Sequence, residues 1–220
     1  MKSFRHFLAA GALLGLVYAT PAAATLVYTL DDSNCCGSGP FGSVTLQQTG
    51  ANVLVTVTLF GTNGFIDTGA GDPLLFNITG FPDLSARITG LTAGFFFSSN
   101  RPSLTHADGS GDWMYSILCA GGACGPGGSD PFFGSFSFTV LGVLETSFVA
   151  TNRSNGNFFA SDICFNHTAS GCTATGDVWT NTPVPGSPPR ITLPEPGSLA
   201  LLGIAVLAFG ATRRARKTAR

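Results

Sequence analysis

Gly42-Ser43-Val44-Thr45-Leu46-Gln47-Gln48-Thr49, a Gly50-Ala51 break, and Asn52-Val53-Leu54-Val55-Thr56-Val57-Thr58-Leu59-Phe60 form the stretch that decides the fold class. Successive side chains of an extended chain point to opposite sides, so Val53, Val55, Val57 and Leu59 share one face while Thr56 and Thr58 share the other. Two such runs around a Gly-containing break predict an antiparallel hairpin with one buried and one wet face.

The same alternation recurs in Ser135-Phe136-Ser137-Phe138-Thr139-Val140, where Phe136, Phe138 and Val140 point one way and the hydroxyls the other. Further strands are expected at Leu26 to Leu30, Leu74 to Thr79, Ala86 to Leu91, Trp113 to Leu118, Ser147 to Thr151 and Phe158 to Phe165. Gly, Pro, Asn, Asp and Ser clusters such as Thr68-Gly69-Ala70-Gly71-Asp72-Pro73 and Gly125-Pro126-Gly127-Gly128-Ser129-Asp130 mark the turns between them. No stretch between the two ends carries a 3.6-residue apolar stripe. The expectation is an all-β, antiparallel β-sandwich, with a jelly-roll-like arrangement as one option. The phenylalanine runs, Phe95-Phe96-Phe97 and Phe132-Phe133 among them, are expected to fill the core and plug strand ends.

Both extremities differ in kind from this body. Lys2 and Arg5 precede an apolar run from Phe7 to Val17, and Tyr18 to Ala24 supplies small residues including Ala22 and Ala24. That order is a signal peptide spanning residues 1–24, a signal helix cleaved after Ala24 by signal peptidase. The exported domain then covers residues 25–192. Residues 193–220 run from Pro194-Glu195-Pro196 through an apolar helix to a tail in which Arg213, Arg214, Arg216, Lys217 and Arg220 are basic. The two prolines stiffen the exposed spacer around Glu195. The apolar segment from Ser198 to Ala211 would span about 21 Å as a helix, short against a hydrocarbon core of about 30 Å. Positive charge beyond it is expected to stay cytoplasmic, which fixes the orientation.

The Pro194-Glu195-Pro196 triplet, single apolar helix and Arg-rich terminus resemble the PEP-CTERM sorting signal of exported proteins from Gram-negative bacteria that make exopolysaccharide. The resemblance implies processing near the triplet by an exosortase-type membrane protease, transient attachment to the inner membrane by the C-terminal helix, and delivery to the envelope or the outside. The body resembles, more loosely, a recurrent set of PEP-CTERM cargo domains through the Gly42 to Phe60 hairpin, the Ile88 to Phe95 segment, the Cys119 to Cys124 loop and Phe158 to Cys164. That likeness implies an extracellular β domain and no reaction.

Charge and cysteine content bound the partners. Between the two ends stand eleven acids and four arginines, a net charge of −7 hidden inside the whole-chain value of −1. Nucleic acid and anionic membrane surfaces need a cationic footprint, so neither is expected as a partner. Cys35, Cys36, Cys119, Cys124, Cys164 and Cys172 all lie in the exported body, where oxidation is the default. Local pairing of Cys119 with Cys124 and Cys164 with Cys172 would staple two loops. A bond between the neighbours Cys35 and Cys36 is strained, so these are expected to find other partners if they can. Without a CxxC pair, and with only His106 and His167 in the body, no zinc or other metal is expected.

The chemistry-bearing motifs are weak. Gly37-Ser38-Gly39-Pro40-Phe41-Gly42 has dinucleotide-loop spacing but precedes a strand where a helix N-terminus is needed, so it reads as a loop and no cofactor is expected. Asp108-Gly109-Ser110-Gly111-Asp112 copies the first half of a calcium loop, yet Trp113 and Cys119 stand where the turn glycine and the bidentate glutamate belong. A looser calcium set drawn from Asp67, Asp72, Asp108 or Asp112 is the remaining metal reading; the plain one is turn residues capping their own backbone. His106 or His167 with an Asp, and Glu145 with a second acid, lack anything to position them for hydrolysis. Asn77, Asn152 and Asn166 open glycosylation-type triplets. The expected function is therefore a non-enzymatic envelope or extracellular-matrix protein with a structural or adhesive role, in contact with exopolysaccharide. A carbohydrate-binding module with Trp113, Tyr115 or Trp179 as an exposed platform is the first alternative, and a secreted hydrolase the second.

Overall fold

The hairpin from Gly42 to Leu59 sits at the centre of a five-stranded sheet in a computed structural model that describes residues 25–69, 71–80, 83–99, 104–120, 124–125, 129–149 and 156–180. The strands in chain order are β1 (Thr25–Leu30), β2 (Asp32–Ser33), β3 (Gly42–Thr49), β4 (Asn52–Leu59), β5 (Gly64–Phe65), β6 (Leu74–Phe76) and β7 (Ile88–Thr89). They continue with β8 (Phe95–Ser99), β9 (Thr105–Ala107), β10 (Gly111–Trp113), β11 (Tyr115–Cys119), β12 (Ser135–Val140), β13 (Phe159–Phe165) and β14 (Ala174–Trp179). One sheet runs β1-β3-β4-β12-β7; the other runs β2-β14-β13-β6-β11-β8, with β5 also pairing β13; β9 and β10 form a separate hairpin. All pairings are antiparallel. The chain alternates between the two sheets, so most neighbours in space are distant in sequence.

Register turns the period-two pattern into a buried layer. Val44 faces Val57, Leu46 faces Val55, and Phe136 and Phe138 face Val57 and Val55 from the other side. All of these side chains are buried. Opposite them the seven-stranded sheet contributes Leu74, Phe76, Tyr115, Ile117, Phe159, Ile163 and Val178 to the same cluster. Phe76 ties the two layers together, with ring centroids 5.5 Å from Tyr115, 5.8 Å from Phe138 and 6.1 Å from Phe148. Each such ring contributes about 2–3 kcal/mol of burial, plus a fraction more from offset or edge geometry.

Several expected strands are redrawn by local hydrogen bonding. The strand expected over Ser147 to Thr151 is replaced at Ser147 to Val149 by a 3-10 helix spanning Glu145–Val149, the last two residues lying outside the described ones. Phe148 of that segment is buried, and a single turn delivers it onto Phe76 and Phe159 without a ladder. The expected run from Trp113 to Leu118 is broken at Met114, whose amide donates to Asn77 Oδ1 at 2.8 Å in place of a ladder carbonyl. The same bond buries Asn77, 4 % exposed, away from any modifying enzyme. Phe95 to Phe97 is a strand and not a plug, pairing with Leu118 and neighbours in β11. β2, β5, β9 and β14 lack the apolar alternation that would have marked them. The signal helix and the C-terminal apolar helix lie outside the described residues. Among those residues no helix is long and apolar enough to cross a membrane.

The disulfides are local throughout: Cys35–Cys36, Cys119–Cys124 and Cys164–Cys172. The expectation that Cys35 and Cys36 would pair elsewhere is thus corrected. The other four cysteines are consumed by their own loops, which leaves the neighbours only each other.

Candidate functional site

The seven-stranded sheet has a second face, and it is chemically unlike the first. Alternation along β13 puts Phe159 and Ile163 inward and Ala160 and Asp162 outward; along β14 it puts Val178 inward and Asp177 and Trp179 outward. The β9–β10 hairpin covers part of this outer face, where Leu75, Ala107, Trp113 and Ala160 make a small apolar cluster with Trp179 packed against it. Beside that cluster, Asp162 and Asp177 are directly opposed cross-strand partners, 1 % and 3 % exposed.

Three segments build the walls around this pair. The turn between β5 and β6 passes over the middle of β13, where the Ile66 amide donates to the Asp162 carbonyl and the Asp162 amide donates to the Asp72 carbonyl. Thr68 donates both its amide and its hydroxyl to Asp162 Oδ2, each at 2.6 Å. The tip of the β9–β10 hairpin supplies Ser110, whose hydroxyl donates to Asp177 Oδ2 at 3.4 Å and accepts from Trp113 Nε1 at 3.2 Å. Asn34, just after β2, clamps the third side: its Nδ2 donates to the Asp108 carbonyl and its Oδ1 accepts from the Asp177 amide. The result is an open cavity of about 520 Å³ lined in part by Asn34, Cys35, Thr68, Asp108, Asp162 and Asp177.

Gly71 completes the crowding. A Cβ at this position would stand 2.6 Å from Asp177 Oδ1 and 2.8 Å from Asp162 Cγ, so both carboxyl groups converge on the space a side chain would fill. Asp162 Oδ1 and Asp177 Oδ1 are buried and carry no hydrogen-bond partner. Burial pushes the Asp162 carboxyl up to about 7; the Thr68 hydrogen bonds oppose this, while Asp67 and Asp72 add to it. Burial likewise pushes Asp177 up to about 7, with Asp162, Asp108 and Asp72 adding and Ser110 opposing. Asp72, 8 % exposed, is raised to about 6, again by burial first, with Ser116 opposing and Asp67 adding. Among the described residues no positive side chain acts on any of the three.

The candidates singled out in the sequence are distributed unevenly. Asp67, Asp72 and Asp108 do come to this face, but the residues at its centre are Asp162 and Asp177, which belong to no recognised motif. Their one sequence signal was a lone acid inside an apolar strand, Phe159-Ala160-Ser161-Asp162-Ile163-Cys164-Phe165. Asp112 turns away to His106, whose Nδ1 lies 2.7 Å from its Oδ1 across the exposed hairpin. That bond raises the His106 pKa and leaves Asp112 outside the acid group. His167 packs edge-on against Phe133 at 5.0 Å. Glu145 opens the 3-10 helix, its amide donated to Gln48 Oε1. Trp113 and Tyr115 are fully buried, so neither presents an aromatic platform; Trp179 is half-buried and packs on the small apolar cluster that includes Trp113. Gly37 to Phe41 is a loop leading into β3. Ala22, Ala24, Pro194, Glu195, Pro196, Arg213, Arg214, Arg216 and Lys217 lie outside the described residues.

Comparison with known proteins speaks to that last region. The family described as the PEP-CTERM protein-sorting motif matches residues 192–217. No curated protein and no solved structure matches the chain. The match takes in the triplet, the apolar stretch and most of the basic tail, the three parts read together in the sequence. The chain carries at residues 192–217 the PEP-CTERM protein-sorting motif, which implies processing by an exosortase and export to the envelope or outside.

Proposed function

We propose that the β-sandwich is a non-catalytic component of the cell envelope or the extracellular, biofilm-type matrix, released into place after exosortase processing near Pro194-Glu195-Pro196. The single observation that carries this reading is the sorting motif at residues 192–217 following directly on the exported β domain. Signal peptidase removes residues 1–24 with Ala22 and Ala24 at its recognition positions. The apolar helix then holds the chain in the inner membrane, with Arg213, Arg214, Arg216 and Lys217 on the cytoplasmic side, until cleavage. Exopolysaccharide is the surrounding partner, met by an acidic and hydroxyl-rich surface.

Two features support a structural role over hydrolysis. Three local disulfides and an interlocked aromatic core suit long residence outside the cell. Among the described residues the two histidines stand apart from the buried acids Asp162 and Asp177, His106 held by Asp112 and His167 packed on Phe133, so no His-centred constellation forms around them.

Intact-mass measurement on protein recovered from its native envelope and medium tests the reading. The expected mass lacks residues 1–24 and everything beyond the Pro-Glu-Pro region. A mass that keeps Gly197 to Arg220 in every fraction would overturn exosortase release in favour of a plain anchor.

A further inference from the structure

We propose that the cavity over β13 and β14 is a calcium-type divalent-cation site, with Asp162 Oδ1 and Asp177 Oδ1 as its charged ligands. Two carboxylates placed directly opposite each other on one sheet face repel, and this pair is buried as well. A folded protein tolerates such an arrangement when something positive binds between the groups. Among the described residues no Lys or Arg does so: Arg87 is the one that they contain, and its Nη1 donates to the Leu141 and Gly142 carbonyls beside β12.

The independent sign of a ligand is the pair of orphaned oxygens. Each acid satisfies one oxygen within the protein, Asp162 Oδ2 through Thr68 and Asp177 Oδ2 through Ser110. Each leaves Oδ1 buried without a partner. Both residues line the cavity together with Gly71, and a Cβ added at Gly71 would stand 2.6 Å from Asp177 Oδ1 and 2.8 Å from Asp162 Cγ. An unmade hydrogen bond on a buried carboxylate costs about 1–3 kcal/mol or more, so two of them side by side call for an external partner.

The donor set selects the class of cation. Every available donor is oxygen: the two carboxylates, with Asp108, Asn34 and the Thr68 hydroxyl on the cavity wall. The described cysteines are all in disulfides, and His106 is held on the far side of the hairpin by Asp112, so the soft and imidazole ligands favoured by zinc are missing. Among the described residues no three His, Cys, Asp or Glu side chains are grouped to hold a metal. The ion would thus rest on two carboxylates and fill its sphere with neutral oxygens and water, which calcium, with its larger and more flexible shell, accepts better than magnesium. An exported protein meets calcium at concentrations where sites of about 10⁻⁴–10⁻³ M dissociation constant are filled.

The test uses the full chain, exported so that its disulfides form and purified in mild detergent. Thermal unfolding at pH 7.5 is followed in EDTA, in calcium and in magnesium, for the native sequence, Asp177→Asn, Gly71→Ala and the surface control Asp130→Asn. Calcium at about a hundredfold excess over its dissociation constant is expected to raise Tm by roughly 5–10 °C, with magnesium giving less. Asp130→Asn keeps that shift. Asp177→Asn loses it while holding the EDTA Tm at or above the native value, because one member of the repelling pair has become neutral. Gly71→Ala loses it by occupying the space. Absence of any divalent-cation shift in the native sequence overturns the proposal, as does a calcium shift that survives in Asp177→Asn.

Discussion

Phe76 and Asp162 lie on the two faces of one seven-stranded sheet and are equally inaccessible, yet the sheet holds them by opposite physics. On the inner face burial is its own reward: Phe76, Phe159 and Ile163 lose water contact, meet the valines of β4 and the phenylalanines of β12, and need no partner atom by atom. The outer face buries carboxylates, whose every oxygen has to be matched, and leaves two of them unmatched. The inner face therefore explains why the domain folds. The outer face carries a cost that folding does not require, and such costs concentrate where a protein binds something.

The largest effect should come from the inner face. Phe76→Ala removes the ring that joins both layers and is expected to cost about 3–5 kcal/mol in denaturant unfolding. A loss below about 1 kcal/mol would mean the two sheets are not held by this cluster.

A difference of sign separates the faces next. Asp162 and Asp177 have folded pKa values raised to about 7 from 3.8, so the native state binds their protons more tightly than the unfolded chain does. The stability from those protons is complete below about pH 4 and is lost as pH rises through about 7, a drop on the order of 4 kcal/mol for each group. The groups facing the pair, Asp67, Asp72 and Asp108, reinforce the trend, and the Thr68 and Ser110 hydrogen bonds moderate it. In EDTA the protein should accordingly unfold at lower denaturant at pH 8 than at pH 5, and calcium should narrow the gap. Greater stability at pH 8 in EDTA would contradict the burial of this pair.

Smaller again is Gly71→Ala, expected to lower stability by about 1–3 kcal/mol in EDTA because the new methyl must displace a carboxyl on either side. A neutral result would show that the turn over β13 can shift without disturbing the acids. The smallest effect belongs to His106→Ala: the His106–Asp112 pair stands in solvent, 68 % and 32 % exposed, and its removal should leave the unfolding midpoint unchanged within error.

How much of this was legible differs by region for the same reason that the faces differ. Val53, Val55 and Val57 announce their face by spacing alone, and β3, β4, β12 and β13 stand close to where the alternation puts them. Short strands such as β5 and β9 carry no such pattern, since a two- or three-residue strand exists only because a neighbour offers it a ladder. A 3-10 turn at Glu145–Val149 stands where a strand from Ser147 was expected, and it buries Phe148 without a ladder.

By itself the sequence determined the β architecture, the two local loops closed by cysteines, and the sorting segment at residues 192–217. These are local properties: side-chain period, small loop closure and the order of charge and apolar length along a few turns of chain. Only the tertiary structure decided that Asp72, Asp162 and Asp177 meet on one buried face, that Cys35 must bond Cys36, and that Trp113 and Tyr115 are hidden. Those outcomes depend on which distant strands become neighbours and in what register, and the pairing of β13 with β14, β5 and β6 is a non-local choice that no periodicity within a single segment encodes.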